Sequence, residues 1–255
     1  MNDSSSSMAA EFDTVAAWTA DIAADLGPSF HIPAGCRGSG SPGALRWFLD
    51  RLDVTAGEIF LDVGAGIGGP AAFAAQEAGA VPVLIDPEAG ACRAAQQLFG
   101  LPAVQAGTQL PIATGSVGVG WSLGVLCTVT DQAAHLAELH RVLQPGARFG
   151  LLVYTASHPG RLVHPQPKGN TFPTEERLAD LLATAGLRVR TSGHSDDFTE
   201  VPSAWQEAMA EVETEMERRH GSHPSWQTAA DQTAKMGQLL RAGEVAGRLI
   251  VVAPT

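Results

Sequence analysis

The sequence predicts an α/β protein: a doubly wound, mostly parallel, seven-stranded sheet with helices on both faces. Three observations carry this. Short apolar runs alternate with helical patterns from Ile59 to the end of the chain, which implies right-handed βαβ crossovers. The first run, Ile59–Val63 within EIFLDVGAGIGG (58–69), is broken only by Asp62. It stops at a glycine cluster and opens directly into the helical stretch Pro70-Ala-Ala-Phe-Ala-Ala-Gln. That is a buried parallel strand, a tight turn and a helix N-terminus. Finally, 255 residues with 45% hydrophobic and 17% charged content supply an ample core.

The elements follow in order. The start, MNDSSSSMAAEF, has neither a basic nor an apolar leader pattern and reads as a short disordered tail. Residues 11–27 space Phe12, Val15, Ala16, Trp18 and Ile22 at helical intervals. Residues 31–43, HIPAGCRGSGSPG, read as a loop. A helix with Leu45, Phe48, Leu49 and Leu52 on one face leads into the opening strand. Beyond the glycine turn come a helix at 70–79 and a second strand at 81–86. Asp86-Pro87-Glu88 then reads as a helix start with Asp86 at the N-cap.

Residues 102–106 and Val117–Leu123 are the third and fourth strands. Asp131 caps a helix that ends at Gln144-Pro145-Gly146, before a fifth strand at Arg148–Tyr154. A proline-rich loop, a helix capped at Thr174 and a sixth strand at Leu187–Thr191 follow. Ser203-x-x-Gln206 reads as a capping box on an inserted helix, a second helix covers about 226–242, and Arg248–Val252 is the last strand.

Composition narrows the partners. The formal net charge of −11 argues against nucleic acid and an anionic membrane surface. No run is apolar and long enough for a membrane helix. Cys36, Cys92 and Cys127 are too scattered for a disulfide frame or zinc site, which suggests reduced thiols in a cytoplasmic protein. A small molecule is the expected partner. Oligomeric state is not legible.

The glycine cluster admits two nucleotide readings. Gly64, Gly66 and Gly69 satisfy G-x-G-x-x-G, with Asp86 near the expected acidic position, as in NAD-dependent oxidoreductases. Asp62, Gly64, Gly66 and Gly68 also satisfy D-x-G-x-G-x-G, which resembles motif I of the class I S-adenosylmethionine (SAM)-dependent methyltransferases. Later landmarks favour the second. Glu138–Gly146 resembles the E-x-x-R-V-L-x-P-G segment of the ubiquinone-biosynthesis-like branch, Leu110-Pro111 its L-P loop, and Ser122–Leu126 its segment after strand four. No Tyr-x-x-x-Lys or comparable hydride-transfer set is present. The resemblance covers about residues 45–193 plus the final strand.

The resemblance implies a Rossmann-like methyltransferase fold with SAM as cofactor. Residues 44–193 would form the SAM-binding core and 247–255 its final strand. Residues 1–43 and 194–246 would form a lid. Gly64, Ala65 and Gly66 would pass close to the methionine and ribose moieties, and Asp62 would orient this loop or meet the amino group. Asp86 would accept hydrogen bonds from both ribose hydroxyls, and Pro87, Ala106, Gly107 and Ser122 complete the expected cofactor contacts. Two departures stand out. The loop after strand three offers Ala106-Gly107 where an acidic or polar residue usually meets the adenine amino group, and Val117-Gly118 replaces a usual Phe-Asp pair.

Methyl transfer from a sulfonium is an in-line displacement that needs positioning, plus a base where the acceptor must lose a proton. His31 and His158 are the expected bases, from loops at the carboxyl edge of the sheet, with Tyr154 expected to hydrogen-bond the substrate. Arg37 is a candidate contact for a cofactor or substrate carboxylate. His135 and His140 read as surface or packing residues, and no metal site is expected. The expected activity is SAM-dependent methyl transfer to a small molecule, at a hydroxyl first, then at an amine or carbon. An NAD-dependent oxidoreductase or a SAM-binding protein without transferase activity are the alternatives.

Overall fold

The computed structural model describes residues 3–158, 160 and 162–255, with only the backbone for 3–11. Its strands are β1 (Ile59–Val63), β2 (Val81–Asp86), β3 (Ala103–Gln105), β4 (Val117–Leu123), β5 (Leu143–Ala156), β6 (Leu187–His194) and β7 (Val245–Pro254). They form one sheet in the order β3-β2-β1-β4-β5-β7-β6. β7 runs antiparallel to both neighbours, and the remaining pairs are parallel. The strand order reverses beside β1. In open α/β sheets such a switch point puts a crevice outside the carboxyl ends of the strands. The antiparallel β7 between β5 and β6 departs from the 3-2-1-4-5-6 order of dinucleotide-binding sheets.

Helices α3 (Pro42–Leu52), α4 (Gly69–Ala78) and α5 (Ala89–Phe99) cover one face. There Phe48, Phe60 and Trp121 are fully buried, with Phe60 meeting Trp121 edge-on at 4.7 Å. Helices α6 (Gln132–Val142) and α7 (Glu175–Thr184) cover the other face, where Leu136, Leu139 and Leu181 pack on Phe149 and Leu151. Asp131 and Thr174 cap these two helices as the sequence predicts, each accepting a backbone N–H three residues on.

The remaining helices, α1 (Asp3–Leu26), α2 (Pro28–Gly35), α8 (Ser203–His220) and α9 (Pro224–Arg241), gather at the carboxyl edge. Ile22, Ala23 and Ala34 share a cluster with Val212, Met216 and Trp226, and with Ala94 and Leu98 of α5. This is where the apolar stripes outside the βα core are buried. At the seam between α2 and α4 the backbones of Gly35 and Gly69 nearly touch. A Cβ on Gly69 would lie 2.2 Å from the Gly35 carbonyl carbon, so only glycine fits.

Four sequence expectations need correction. The expected loop at 31–43 begins as helix α2, started by Pro28 at the first helical turn. The expected tail is helical from Asp3, because serine is only mildly unfavourable in a helix. Asp86 is the last residue of β2 and not an N-cap. The cap position of α5 is Glu88, whose side chain makes no capping bond, and Asp13 of α1 instead accepts the Gly90 N–H. At the start of α8 the cap position is Pro202, and Gln206 donates to the Val201 carbonyl, so the capping box does not form.

Candidate active site

The floor of the crevice is the turn after β1. Gly64 and Ala65 donate to the Ile85 carbonyl at 2.7 and 3.2 Å, which ties the turn to the tip of β2. Gly64, Gly66 and Gly68 all have positive φ (73°, 54° and 85°). Their surroundings differ. A Cβ on Gly64 would lie 2.2 Å from Val125 Cγ2, and one on Gly68 3.0 Å from Ala95 and Leu84. A Cβ on Gly66 would meet nothing within 4 Å, because it would point into open space. Gly64 and Gly68 are glycine for packing; Gly66 leaves room above the turn.

The carboxylate of Asp86 organises this turn. One oxygen accepts the Gly66 N–H at 2.8 Å and the other the Glu88 N–H at 2.9 Å. Burial raises its pKa, the two backbone donors pull it back, and the charge of Asp13 raises it further. A carboxylate has about four acceptor positions, so two remain after these bonds. Behind the turn, Asp62 is buried on β1 with Oδ2 lacking any partner. Burial pushes its pKa up to about 7; the Trp121 indole opposes this and the Asp86 charge adds to it. The same carboxyl, after burial itself, raises the Cys36 thiol.

Above the turn lies a cavity of about 760 Å³. Gly64, Ala65, Gly66, Asp86 and Pro87 line its floor, and Ala106 and Gly107 line one flank. The other side comes from outside the core. α1 contributes Phe12, Val15 and Thr19, α9 contributes Gln232 and Thr233, and Arg37 enters from the turn after α2. Arg37 also bridges the accessory helices, donating to Thr233 at 3.2 Å, standing 3.9 Å from Glu213 and lying over the Trp226 ring. Among the described residues, Lys168 is the second cation at the cavity.

Eight of the expected site residues therefore converge: Gly64, Ala65, Gly66, Asp86, Pro87, Ala106, Gly107 and Arg37. Asp62 and Ser122 lie behind the lining, both buried with an unpartnered oxygen. His31, His158 and Tyr154 do not line the cavity. His31 is in α2 and meets Phe99 edge-on, so it belongs to the helical layer and not to a loop. His158 is exposed beyond β5. Tyr154 lies beneath the Gly38 carbonyl, to which its hydroxyl donates at 3.4 Å, and burial followed by the Cys127 charge pushes its pKa up to about 12. A group held that firmly in its neutral form is a donor and not a base at neutral pH.

The sequence places His135 as a surface or packing residue and gives no sign of its position at the cavity. The residue is buried at the cavity wall, in the first turn of α6, with its pKa lowered to about 4 by desolvation. All the sequence shows is its place just after the Asp131 cap, at the end of a helix that starts from the carboxyl edge.

Residues 61–151 match the family model described as "Methyltransferase domain". An uncharacterised 37.1 kDa protein in transposon TN4556 of Streptomyces fradiae is 36% identical over 108 residues. The alignment spans 40% of this chain and about a third (31%) of that protein. The fold is shared with several solved structures. The [4+2]-cyclase SpnF superposes with a TM-score of 0.65 at 19% identity, over 82% of this chain and 80% of that one. The cyclopropane synthase MmaA2 from Mycobacterium tuberculosis gives 0.64 at 17%, over 82% of each chain. A SAM-dependent methyltransferase from Thiobacillus denitrificans, crystallised with S-adenosylhomocysteine (SAH), gives 0.61 at 16%, over 89% of this chain and 98% of that one. Residues 61–151 therefore carry a methyltransferase domain, with the D-x-G-x-G-x-G turn at the switch point of the sheet and β7 inserted antiparallel beside β6.

Proposed function

We propose that the protein transfers the methyl group of SAM to a small-molecule acceptor, at a hydroxyl first and at an amine or carbon next. The observation that carries this is the open space above Gly66, bounded by Asp86 at the tip of β2, within one cavity at the switch point. When bound, SAM supplies an electrophilic methyl on a sulfonium. The chain's own task is to hold and desolvate it. The turn at Gly64–Gly66 admits the methionine and ribose moieties, and the two free acceptor positions of Asp86 suit a diol. Arg37 is placed for a carboxylate. Residues 1–43 and 194–246 act as a lid on the core of 44–193 and 247–255; with α1 and α9 as its roof, the cavity excludes water from the reacting methyl. The net charge of −11 favours a small acceptor over nucleic acid.

Calorimetry with SAM, SAH and NAD, followed by incubation of methyl-labelled SAM with a metabolite library, tests the reading. Micromolar SAM and SAH binding, about −8 kcal/mol, with label in a small-molecule product is the expected result. Heat with NAD and none with SAH overturns the cofactor. SAH binding with no labelled product across the library leaves a SAM-binding protein of other activity, in keeping with the presence of a cyclase on this fold.

A further inference from the structure

The flank of the cavity formed by residues 106–108 has no side chain suited to a polar ligand edge except the exposed Thr108. Ala106 is pinned by its N–H to the Asp86 carbonyl at 3.0 Å, and Gly107 has no side chain. Gln105, the nearest amide, is already spent on the Pro87 carbonyl at 3.0 Å. Facing this loop is one side of α6. Glu138 accepts the Leu110 N–H at 2.8 Å, and Arg141 donates to the Leu110 and Ile112 carbonyls at 3.1 and 3.0 Å. His135 stands one turn before Glu138 on the same side of the helix. That places its ring at the cavity wall beside the 106–108 loop.

The ring is 6% exposed, and its Nε2 is buried with no hydrogen-bond partner. Buried polar atoms are paired in folded proteins with few exceptions, and each exception calls for an explanation. Surface chemistry does not provide one here, since desolvation alone keeps the imidazole neutral at physiological pH. A neutral imidazole carries one donor and one acceptor. The free Nε2 is one or the other according to tautomer, and the edge of adenine that bears the amino group offers a partner for either, an N–H donor or a ring-nitrogen acceptor.

We propose that His135 is the side chain that recognises the adenine base of the bound cofactor, in place of the polar residue the 106–108 loop lacks. The assignment rests on the SAM reading above and adds to it the residue that sets base specificity. His135 contacts the base and takes no part in methyl transfer. A purely structural histidine would behave differently. Replacing a buried, unpaired imidazole by an apolar side chain of similar size removes an unmet desolvation cost, so His135→Leu stabilises the free protein or leaves it unchanged while weakening the ligand.

The test is calorimetry of the full-length wild type, His135→Leu, His135→Gln and Thr108→Val with SAH and with methylthioadenosine, beside melting curves without ligand at pH 7.5. Methylthioadenosine keeps base and ribose but lacks the amino-acid half. His135→Leu is expected to bind both ligands about tenfold more weakly, the scale of one net hydrogen bond, with an unchanged or higher Tm. His135→Gln recovers most of the SAH affinity, and Thr108→Val, which removes the rival polar contact on the flank, loses less than His135→Leu; the reverse order overturns the assignment. Equal SAH affinity in wild type and His135→Leu overturns the assignment, as does a loss confined to SAH. A fall in Tm that parallels the fall in affinity, without recovery by Gln, also overturns it and makes His135 a packing residue. Absence of SAH binding by the wild type instead overturns the cofactor reading, and the assignment with it.

Discussion

The two walls of the cavity are held by different forces. The floor, from Gly64 to Asp86, is tied by backbone bonds to the Ile85 carbonyl and by the Asp86 carboxylate, over strands locked in register. Apart from the backbone seam at Gly35 and Gly69, the roof of α1, α2, α8 and α9 meets the core through side chains. Asp13 accepts from Gly90, and Gln97 donates to Asp21 at 3.1 Å. Within the roof, Trp18 stacks on His220 at 3.9 Å and Arg219 pairs with Asp25 at 2.7 Å. Exposed ion pairs of this kind each contribute about 0–1 kcal/mol. The floor cannot shift without breaking a sheet edge, whereas the roof can shift with the sheet intact. Under the proposed function, cofactor geometry is set below and acceptor choice above.

Paired glycine substitutions test the floor most severely. Gly64→Val puts a Cβ 2.2 Å from Val125 at a positive φ and is expected to abolish the fold, read as loss of a cooperative melt. Gly66→Val meets no neighbour. It costs roughly 1–2 kcal/mol of left-handed strain, so it should still fold and yet lose SAH binding by about 100-fold or more, equivalent to ~2.7 kcal/mol. Wild-type SAH affinity in Gly66→Val would remove the floor from the cofactor site.

Asp62 gives the floor a pH signature. Its folded pKa, about 7, is raised above the unfolded value, so folding favours the protonated form. The associated stability is full at pH below the unfolded carboxylate value and is lost as pH rises through 7. Asp62→Asn removes the penalty and should raise stability at pH 8 by roughly 4 kcal/mol, with little change at pH 4. Denaturant melts at both pH values check this; equal gains at both would show that Asp62 is not titrating there. If the charge also meets the cofactor's ammonium group, SAM affinity of the wild type rises from pH 6 to 8 and that rise vanishes in Asp62→Asn.

Asp86→Ala should weaken SAH by roughly 1.5–3 kcal/mol, the scale of charge-assisted hydrogen bonds. Asp86→Asn should lose less because an acceptor remains. Asp86 also holds Gly66, so the Ala variant should melt earlier than the Asn variant. SAH affinity unchanged in Asp86→Ala would reduce the residue to a clamp on the turn.

The same contrast explains what was legible. The floor is local: a strand, three glycines and an acid at the next strand's tip lie within 29 residues (58–86) of one another, and each leaves a pattern in the sequence. So do the caps at Asp131 and Thr174. The roof depends on distant pairs. Gly90 is capped from Asp13, 77 residues away, and the turn of α2 is admitted by Gly69. Pro33 and Gly35 made α2 look like a loop, because the contact that stabilises it lies in another segment. His135 was passed over for a like reason. Its helix was evident, but which wall that helix presents to the cavity is a property of the packed fold. His31 and His158 failed in the opposite direction, since a loop position near the carboxyl edge does not fix where a side chain ends up.

The mildest perturbation sharpens the contrast most. A Cβ on Gly90 would lie 2.6 Å from the Asp13 carbonyl oxygen and 2.8 Å from its carboxylate. Gly90→Ala therefore pushes α1 off the start of α5 while helix propensity itself improves by roughly 0.5–1 kcal/mol. Truncation is a blunter probe, because Ile22 and Ala23 are fully buried against α5 and their removal would expose Ala94 and Leu98. With the floor untouched, Gly90→Ala should change SAH affinity by less than about threefold, under ~0.7 kcal/mol. Turnover should fall by about tenfold, since a displaced α1 opens the roof to water at the reacting methyl. Limited proteolysis supplies the independent readout: cleavage within residues 27–41 should quicken in Gly90→Ala and slow when SAH is added. A variant that keeps wild-type turnover while its 27–41 segment is cut faster would show that α1 packs the molecule without closing the site. One that loses SAH affinity and turnover by the same factor would show that roof and floor act as a single wall.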